Sequence, residues 1–415
     1  MNKGLILNIP RRFVFEEWGG TETVIAETSK SLTTMGYKTE IITTLALSNK
    51  TEDAFNNIPI KRFPYSYTRL FLSPENRQLL DKRGGNMYSL KLLLYILFCK
   101  DVKVVHLHTL GRLGALIRLV ARAKGIPYVV SIHGGLLDLP KKQLDDLIAP
   151  TKRSFNWGKV FDILCPCKHL IRDADAIICV GKEEQQKIKH AYPDKKVTFL
   201  PNGVDIDKFQ RGKRLKFLEH VKQFNITIAE DDLLILCVSS FYPQKNQLTL
   251  IDAFAERLAK DPRLKLVMIG VVYDQGYFDK INQRIDELGI RFQTLILTNI
   301  QFDDPVLCDA YSAADLFVLP SLYETFGVVV LEAWASNSPV ICGKVGGLPS
   351  FVKDGVNGIF SDINNAASLS VSIKEVLYNK QLNTKLHQNA LNAVHQYSWQ
   401  SITTQLSKVY EEITV

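Results

Sequence analysis

Short runs of β-branched and aliphatic residues alternate with stretches whose apolar positions recur at helical spacing, and the alternation continues along nearly the whole chain. Strands buried on both faces read as continuous apolar runs, so this pattern predicts parallel sheets covered by helices on either side. In the first half, strands are expected near Gly4–Ile9, Thr39–Thr43, Ile58–Phe63, Val102–Leu107, Tyr128–Ile132, Ala176–Val180 and Val197–Leu200. In the second half they are expected near Leu233–Val238, Leu264–Ile269, Phe292–Leu297, Leu316–Leu319 and Pro339–Cys342. The rhythm breaks once, at the turn-rich Pro201-Asn202-Gly203-Val204-Asp205, ahead of a basic, helix-like segment from Asp207 to Phe224. Two α/β, Rossmann-like doubly wound domains are therefore expected, residues 1–200 and 201–396. A capped amphipathic helix within 397–415 follows Tyr397-Ser398-Trp399 and is expected to cross back to the first domain. Ligands of such sheets bind beyond the carboxyl ends of the strands, so the expectation is a central cleft lined by loops of both domains.

Composition narrows the class without changing this picture. A chain of 415 residues is too long for one ordinary core, and 46% hydrophobic with 23% charged residues suits a soluble globular protein. The apolar run before Pro10-Arg11-Arg12 is too short, and wrongly flanked, for an export signal. Leu90 to Phe98, interrupted by Lys91, is far below the ~20 residues needed to span a bilayer. The seven cysteines are scattered, and only Cys165 and Cys167 lie close, at a spacing one residue short of a redox or zinc knuckle. Reduced thiols, no metal and a cytoplasmic location are expected.

The net charge of +8 is uneven: residues 1–200 carry 31 Lys+Arg against 19 Asp+Glu, and residues 201–415 carry 20 against 24. The basic first half suits an anionic partner, either a membrane surface at the inner face of the plasma membrane or a phosphate-bearing substrate, and it is equally served by a merely solvated basic face. Nucleic acid is not among the expected partners.

The densest chemical signal is Leu319-Pro320-Ser321-Leu322-Tyr323-Glu324-Thr325-Phe326-Gly327-Val328-Val329-Val330-Leu331-Glu332-Ala333-Trp334-Ala335, a strand end, a loop and a helix. If the helix begins near Gly327, backbone amides from Phe326 to Val329 are free to hold a diphosphate, aided by the helix dipole. Gly327 allows close approach to the backbone. Glu332 follows Val328 by four residues, on the same helical face and about 6 Å further along the axis, a displacement that suits a ribose. Glu324, before the helix, would face the sugar across the phosphates. By spacing alone, a solvated Glu332 and a capping Glu324 explain the pattern slightly better.

The segment resembles the Glu, seven residues, Glu signature of retaining GT-B glycosyltransferases, especially family 4, of the kind that builds bacterial cell-surface or extracellular polysaccharide. Other stretches resemble the same family in the same order. Gly19-Gly20-Thr21-Glu22 matches its N-terminal glycine loop, His133-Gly134 its cleft histidine and Pro201 to Asp205 its interdomain link. Tyr242-Pro243-Gln244-Lys245-Asn246 matches its phosphate-lysine segment. Pro339-Val340-Ile341, Gly346-Gly347-Leu348-Pro349 and Asp354-Gly355-Val356-Asn357-Gly358 match the strand, loop and turn beyond. Each has an ordinary reading alone: a tight turn at Gly19-Gly20, a structural histidine at 133, a solvated lysine at 245.

The resemblance implies a metal-independent glycosyltransferase that moves a sugar, with retention, from a nucleoside diphosphate sugar, expected to be UDP- or GDP-linked, to a glycan or lipid-linked acceptor. No cofactor is implied besides the sugar nucleotide. It makes Glu324, His133 and Lys245 the catalytic candidates. Gly19, Gly20, Ser240, Lys245, Glu324, Thr325, Phe326, Gly327, Val328 and Glu332 are the donor-binding candidates. Asp173-Ala174-Asp175 has the letters of a metal motif but leads from a helix into a strand. One departure stands out: Ser239-Ser240-Phe241 occupies the place of the family's usual arginine, leaving the diphosphate one expected cation short. A sugar-nucleotide epimerase of GT-B fold and a non-catalytic sugar-nucleotide-binding protein are the rival expectations.

Overall fold

A computed structural model describes residues 3–15, 18–133, 155, 156, 158, 168–224, 226–258, 260–301 and 303–414. The chain divides into two compact units, Met1–Pro201 together with Ile402–Val415, and Asn202–Ser401.

Among the described residues, the first unit is built on an eight-stranded sheet. Its strands are β1 (Leu5–Ile9), β2 (Lys38–Thr44), β3 (Glu52–Phe55), β4 (Ile58–Phe63), β5 (Val102–Leu107), β6 (Tyr128–Ile132), β7 (Ala176–Cys179) and β8 (Val197–Phe199). The order is β8-β7-β6-β5-β1-β2-β4-β3. Every ladder is parallel except β3 against β4. The central strands are apolar on both faces, as burial under two helical layers requires; Leu7, Val105 and Val130 are wholly buried. Two helices matter below: α1 (Gly20–Thr34), which follows β1, and α2 (Leu90–Phe98).

The antiparallel β3 corrects the all-parallel expectation. Phe55 pairs with Ile58 across Asn56 and Asn57, whose φ angles are +49° and +65°. Two consecutive left-handed residues make the hairpin turn whose twist matches paired strands, and asparagine tolerates that conformation better than most residues.

The second unit carries β9 (Leu233–Val238), β10 (Leu264–Ile269), β11 (Thr294–Leu297), β12 (Leu316–Leu319), β13 (Val340–Cys342) and β14 (Ile359–Phe360), in the order β11-β10-β9-β12-β13-β14, all parallel. Its helices include α3 (Gln247–Ala253), α4 (Pro305–Ala313) and α5 (Val328–Ala335). One apolar layer gathers Phe317, Phe326, Trp334, Phe351 and Tyr311 on one sheet face; a second gathers Ile235, Phe254, Leu266 and Ile341 on the other.

Two expectations fail here for visible reasons. Phe292 is not in β11: it lies, 81% exposed, in a tight turn over Arg291–Gln293. The helix expected from Asp207 to Phe224 is two helices, Ile206–Gln210 and Arg214–Val221. They part at Gly212, where a Cβ would stand 2.1 Å from the Cys308 carbonyl oxygen.

The last helix, α6 (Trp399–Ile413), is capped by Ser398, whose Oγ accepts the Ser401 amide at 3.2 Å. Its final turns belong to the first unit. The Tyr410 hydroxyl lies 2.6 Å from His106 Nδ1, and Glu411 accepts the Tyr37 hydroxyl at 3.2 Å.

Candidate functional site

The buried strand β12 delivers the chain to Pro320, and the loop that follows ends in a backbone conformation only glycine adopts cheaply. Gly327 has φ +87° and ψ +57°, and a Cβ there would lie 2.6 Å from Leu348 Cδ2. α5 begins at the next residue with no side-chain cap; the Val330 amide donates to the Gly327 carbonyl at 3.0 Å, while the amides of Val328 and Val329 precede any intrahelical acceptor and sit at the positive end of the dipole. Phe326 anchors the turn by stacking on Phe351, ring centroids 4.7 Å apart.

The loop is gripped from two sides. The Gly347 amide donates to the Glu324 carbonyl at 2.9 Å. A Cβ on Gly346, whose φ is +50°, would stand 1.8 Å from that same oxygen, and one on Gly347 would stand 2.1 Å from the Thr325 carbonyl. The Gly-Gly pair is thus the contact surface on which Glu324 and Thr325 rest. Opposite, the Leu322 amide donates to the Gln244 carbonyl at 2.9 Å and Gln244 Nε2 to the Tyr323 carbonyl at 3.0 Å.

These grips bring two of the sequence candidates into direct contact: Lys245 Nζ lies 2.6 Å from Glu324 Oε1. Glu324 is 9% exposed. Lys245 precedes the helix that follows β9. It closes a tight turn, Pro243–Lys245, and α3 starts at Gln247 after Asn246 at φ +56°. Gln247 is buried and ties this turn back to the end of β9, donating to Ser239 Oγ at 3.0 Å and to the Ser240 carbonyl at 2.9 Å. Ser240 therefore enters the site as a backbone acceptor.

Glu332 sits on α5 with Tyr311, from α4, donating its hydroxyl to Oε2 at 2.7 Å. Burial pushes the Glu332 carboxyl above the ordinary carboxylate range, while the Tyr311 hydroxyl and the positive charge of Lys208 act against that shift. Tyr311 and Gln247 carry no motif, and Gln244 is marked in the sequence only as a neighbour of Lys245; the folded chain alone puts all three beside the candidates.

In the first unit, Gly19 is the extended N-cap of α1, its carbonyl accepting the Thr23 amide at 3.0 Å, and Gly20 is the first helical residue. Neither is demanded by local packing. A Cβ on Gly20 would meet no heavy atom within 4 Å, and one on Gly19 only Glu22 Oε2, at 3.2 Å. Their lack of side chains leaves this helix start uncovered.

His133 follows β6 directly, with Nε2 2.9 Å from His108 Nδ1. His108 Nε2 lies 3.3 Å from Asn8 Oδ1, and the His108 ring is 4.0 Å from that of His106. His106 is closed off on both sides by Ser131 and Tyr410. Burial holds all three imidazoles below their ordinary pKa, His106 down to about 3 and His133 to about 4, so they are neutral at pH 7.

Gly134, Cys165 and Cys167 lie outside the described residues. Asp173 is engaged by Arg118, Arg122 and Arg172, and the Asp175 carboxylate accepts the Tyr128 amide. Among the described residues, no group of three His, Cys, Asp or Glu side chains could hold a metal ion.

Two parallel-sheet Rossmann-like units are the architecture of the GT-B class. Solved structures agree at the level of fold. A glycosyltransferase from Rickettsia africae aligns over 100% of this chain and 99% of its own, with TM-score 0.73 and 19% identity. Alr3699/HepE of Anabaena, solved with UDP and glucose, aligns over 99% and 100%, with TM-score 0.69 and 18% identity. The family profile "Glycosyltransferase Family 4" matches residues 18–208 and "Glycosyl transferases group 1" matches residues 219–393. The chain belongs to the group 1, family 4 glycosyltransferases. It is 30% identical over 251 residues to the D-inositol 3-phosphate glycosyltransferase of Geodermatophilus obscurus, and that match spans 59% of this chain and 54% of the relative. The match thus spans only about half the length of that curated relative.

Two measurements follow from this geometry. Gly346→Ala forces a Cβ against the Glu324 carbonyl at a positive φ, a cost of about 2 kcal/mol or more. The thermal midpoint is expected to fall by roughly 4–8 °C for a unit of this size; an unchanged midpoint would show that the loop does not rest on Gly346. The second concerns pH. The buried histidines refuse protons that the unfolded chain accepts below about pH 6.5, so stability is full above that value and lost as pH falls toward 4, by about 1.4 kcal/mol per pH unit for each histidine. Between pH 6.5 and 5 the melting midpoint should drop, and less steeply in His106→Asn; equal slopes for the two proteins would contradict the assignment.

Proposed function

We propose that the protein transfers a glycosyl group from a nucleoside diphosphate sugar to an acceptor, with the nucleotide held by the second unit. The observation that carries this reading is the ion pair of Lys245 and Glu324 beside the uncapped start of α5, with Glu332 four residues along from Val328. Amides from Phe326 to Val329 and Lys245 are the groups suited to a diphosphate, Glu332 to the ribose hydroxyls, and Glu324, with Thr325, to the sugar. Tyr311 occupies one oxygen of Glu332, which supports a fixed carboxylate with its other oxygen turned to a ligand. In the proposed binding step, a diphosphate competes with Glu324 for Lys245 and supplies the charge that a second cation would otherwise meet at Ser240.

The transfer we propose retains the anomeric configuration and uses no metal. The bond from the anomeric carbon to the diphosphate oxygen breaks, the acceptor oxygen bonds the same face of that carbon, and the acceptor's proton leaves on the departing nucleoside diphosphate. Helix amides and Lys245 stabilise charge growing on that diphosphate, the electrostatic contribution that usually dominates such chemistry. His133, and the helix start at Gly19-Gly20, are assigned to the donor sugar and its phosphates, and the acceptor to the first unit. The donor class is supported by HepE, which was solved with UDP and glucose, and glycosyl transfer by the similar D-inositol 3-phosphate glycosyltransferase of Geodermatophilus obscurus. A UDP- or GDP-sugar donor and a glycan or lipid-linked acceptor in polysaccharide synthesis are the corresponding proposals here.

Contact with an anionic membrane is proposed through α2. Leu92 and Ile96 anchor it to the unit, while Leu90, Leu94, Leu97 and Phe98 are exposed at 63%, 52%, 41% and 75%. Their spacing makes one stripe, shared with Lys91 and free of acidic residues, in the basic half of the chain. No helix among the described residues is long and apolar enough to cross a membrane.

Glu332→Ala is expected to weaken binding of the donor nucleotide about 10- to 100-fold, on roughly 1.5–3 kcal/mol for charge-assisted hydrogen bonds. Calorimetry showing unchanged affinity would remove the ribose assignment. In sedimentation with vesicles, the protein should partition onto phosphatidylglycerol-containing bilayers more than onto pure phosphatidylcholine. The double variant Leu94→Glu, Phe98→Glu should lose at least ~90% of that binding. Retention by the variant would dismiss α2 as the contact.

A further inference from the structure

His133 does not stand alone; it terminates a hydrogen-bonded line across three adjacent strands. Asn8 lies on β1, His108 just past β5 and His133 just past β6. β1 pairs with β5 and β5 with β6, with Asn8 opposite His106 and His106 opposite Val129, so the three side chains share one sheet face and form a diagonal, each two places further along the next strand. Asn8 Nδ2 donates to Ser29 Oγ at 2.9 Å, which turns Oδ1 toward His108 Nε2. An amide oxygen only accepts, so His108 carries its proton on Nε2 and presents a bare Nδ1 lone pair. That lone pair faces His133 Nε2 at 2.9 Å, and two lone pairs cannot face each other at that distance, so His133 carries its proton on Nε2. Its Nδ1 is left as an acceptor. We propose that Asn8 and His108 are positioning residues that fix this tautomer, so that His133 offers a substrate hydroxyl a hydrogen-bond acceptor at Nδ1.

Burial keeps both rings neutral, which is what a tautomer lock requires, since a protonated ring would donate from both nitrogens. Asn8 is 1% exposed and Ser29 wholly buried, so water does not compete for the amide that sets the direction of the line. The substrate assignment rests on the reading that His133 meets a sugar; the tautomer does not.

The test is a long-range ¹⁵N–¹H correlation spectrum of the full chain labelled in histidine, at pH 7.5, with His133→Gln and His108→Gln used to assign the rings. His133 and His108 are both expected as Nε2–H tautomers. In Asn8→Leu, which keeps the volume but removes the acceptor, the two rings should populate both tautomers, and kcat should fall about tenfold with KM for the donor within twofold. His133 found as Nδ1–H, or as a mixture of tautomers in the wild type, would overturn the proposal. So would Asn8→Leu leaving the tautomers and kcat unchanged. Turnover that survives in His133→Gln would instead remove the sugar reading while the tautomer result stood.

Discussion

The loop between β12 and α5 depends on how closely two backbones can approach: Gly346 and Gly347 lie so near the carbonyls of Glu324 and Thr325 that no Cβ fits between them. That contact decides where Glu324 sits, and Glu324 in turn decides where Lys245 sits, 2.6 Å away. Gln244 and Gln247 complete the frame by tying the lysine's turn to the loop and to the end of β9. A cation, a carboxylate and an uncapped helix start are thereby held by backbone geometry rather than by the side chains alone. Such preorganisation suits a group that must meet charge as it develops.

The ion pair also gives the missing arginine a physical setting. Without ligand, the lysine's charge is already met by Glu324, so the unliganded site carries little net charge. The place of the second cation is taken by Ser240, whose carbonyl is spent on Gln247. In the proposed binding step a donor diphosphate displaces the Lys245–Glu324 contact to use the lysine fully, and nucleotide binding would then release Glu324 toward the sugar.

Much of this was legible in the sequence because buried parallel strands announce themselves. β4, β5, β6, β9, β10 and β12 span the residues their apolar runs mark out. What failed was local chemistry masked by composition. The run through Phe292 looked strand-like, but that ring is exposed in a turn. The hairpin strand β3 is half exposed and carries Glu52 and Asp53, so its periodicity was silent and only Asn56-Asn57 hinted at it. In the site, motif residues were visible and their keepers were not. Nothing in the sequence around Tyr311 or Asn8 connects them to Glu332 or His133, because those links cross elements far apart in the chain. The order of motifs could point to Lys245 and Glu324; their direct contact could come only from the fold.

The proposed function requires the second unit to hold a nucleoside diphosphate without a metal. Calorimetric titration of the full chain with UDP, GDP and ADP in buffer containing a chelator addresses this. It should give saturable, one-to-one binding of at least one of them in the micromolar range, about −8 kcal/mol. No heat of binding from any of the three, with the protein folded, would contradict it.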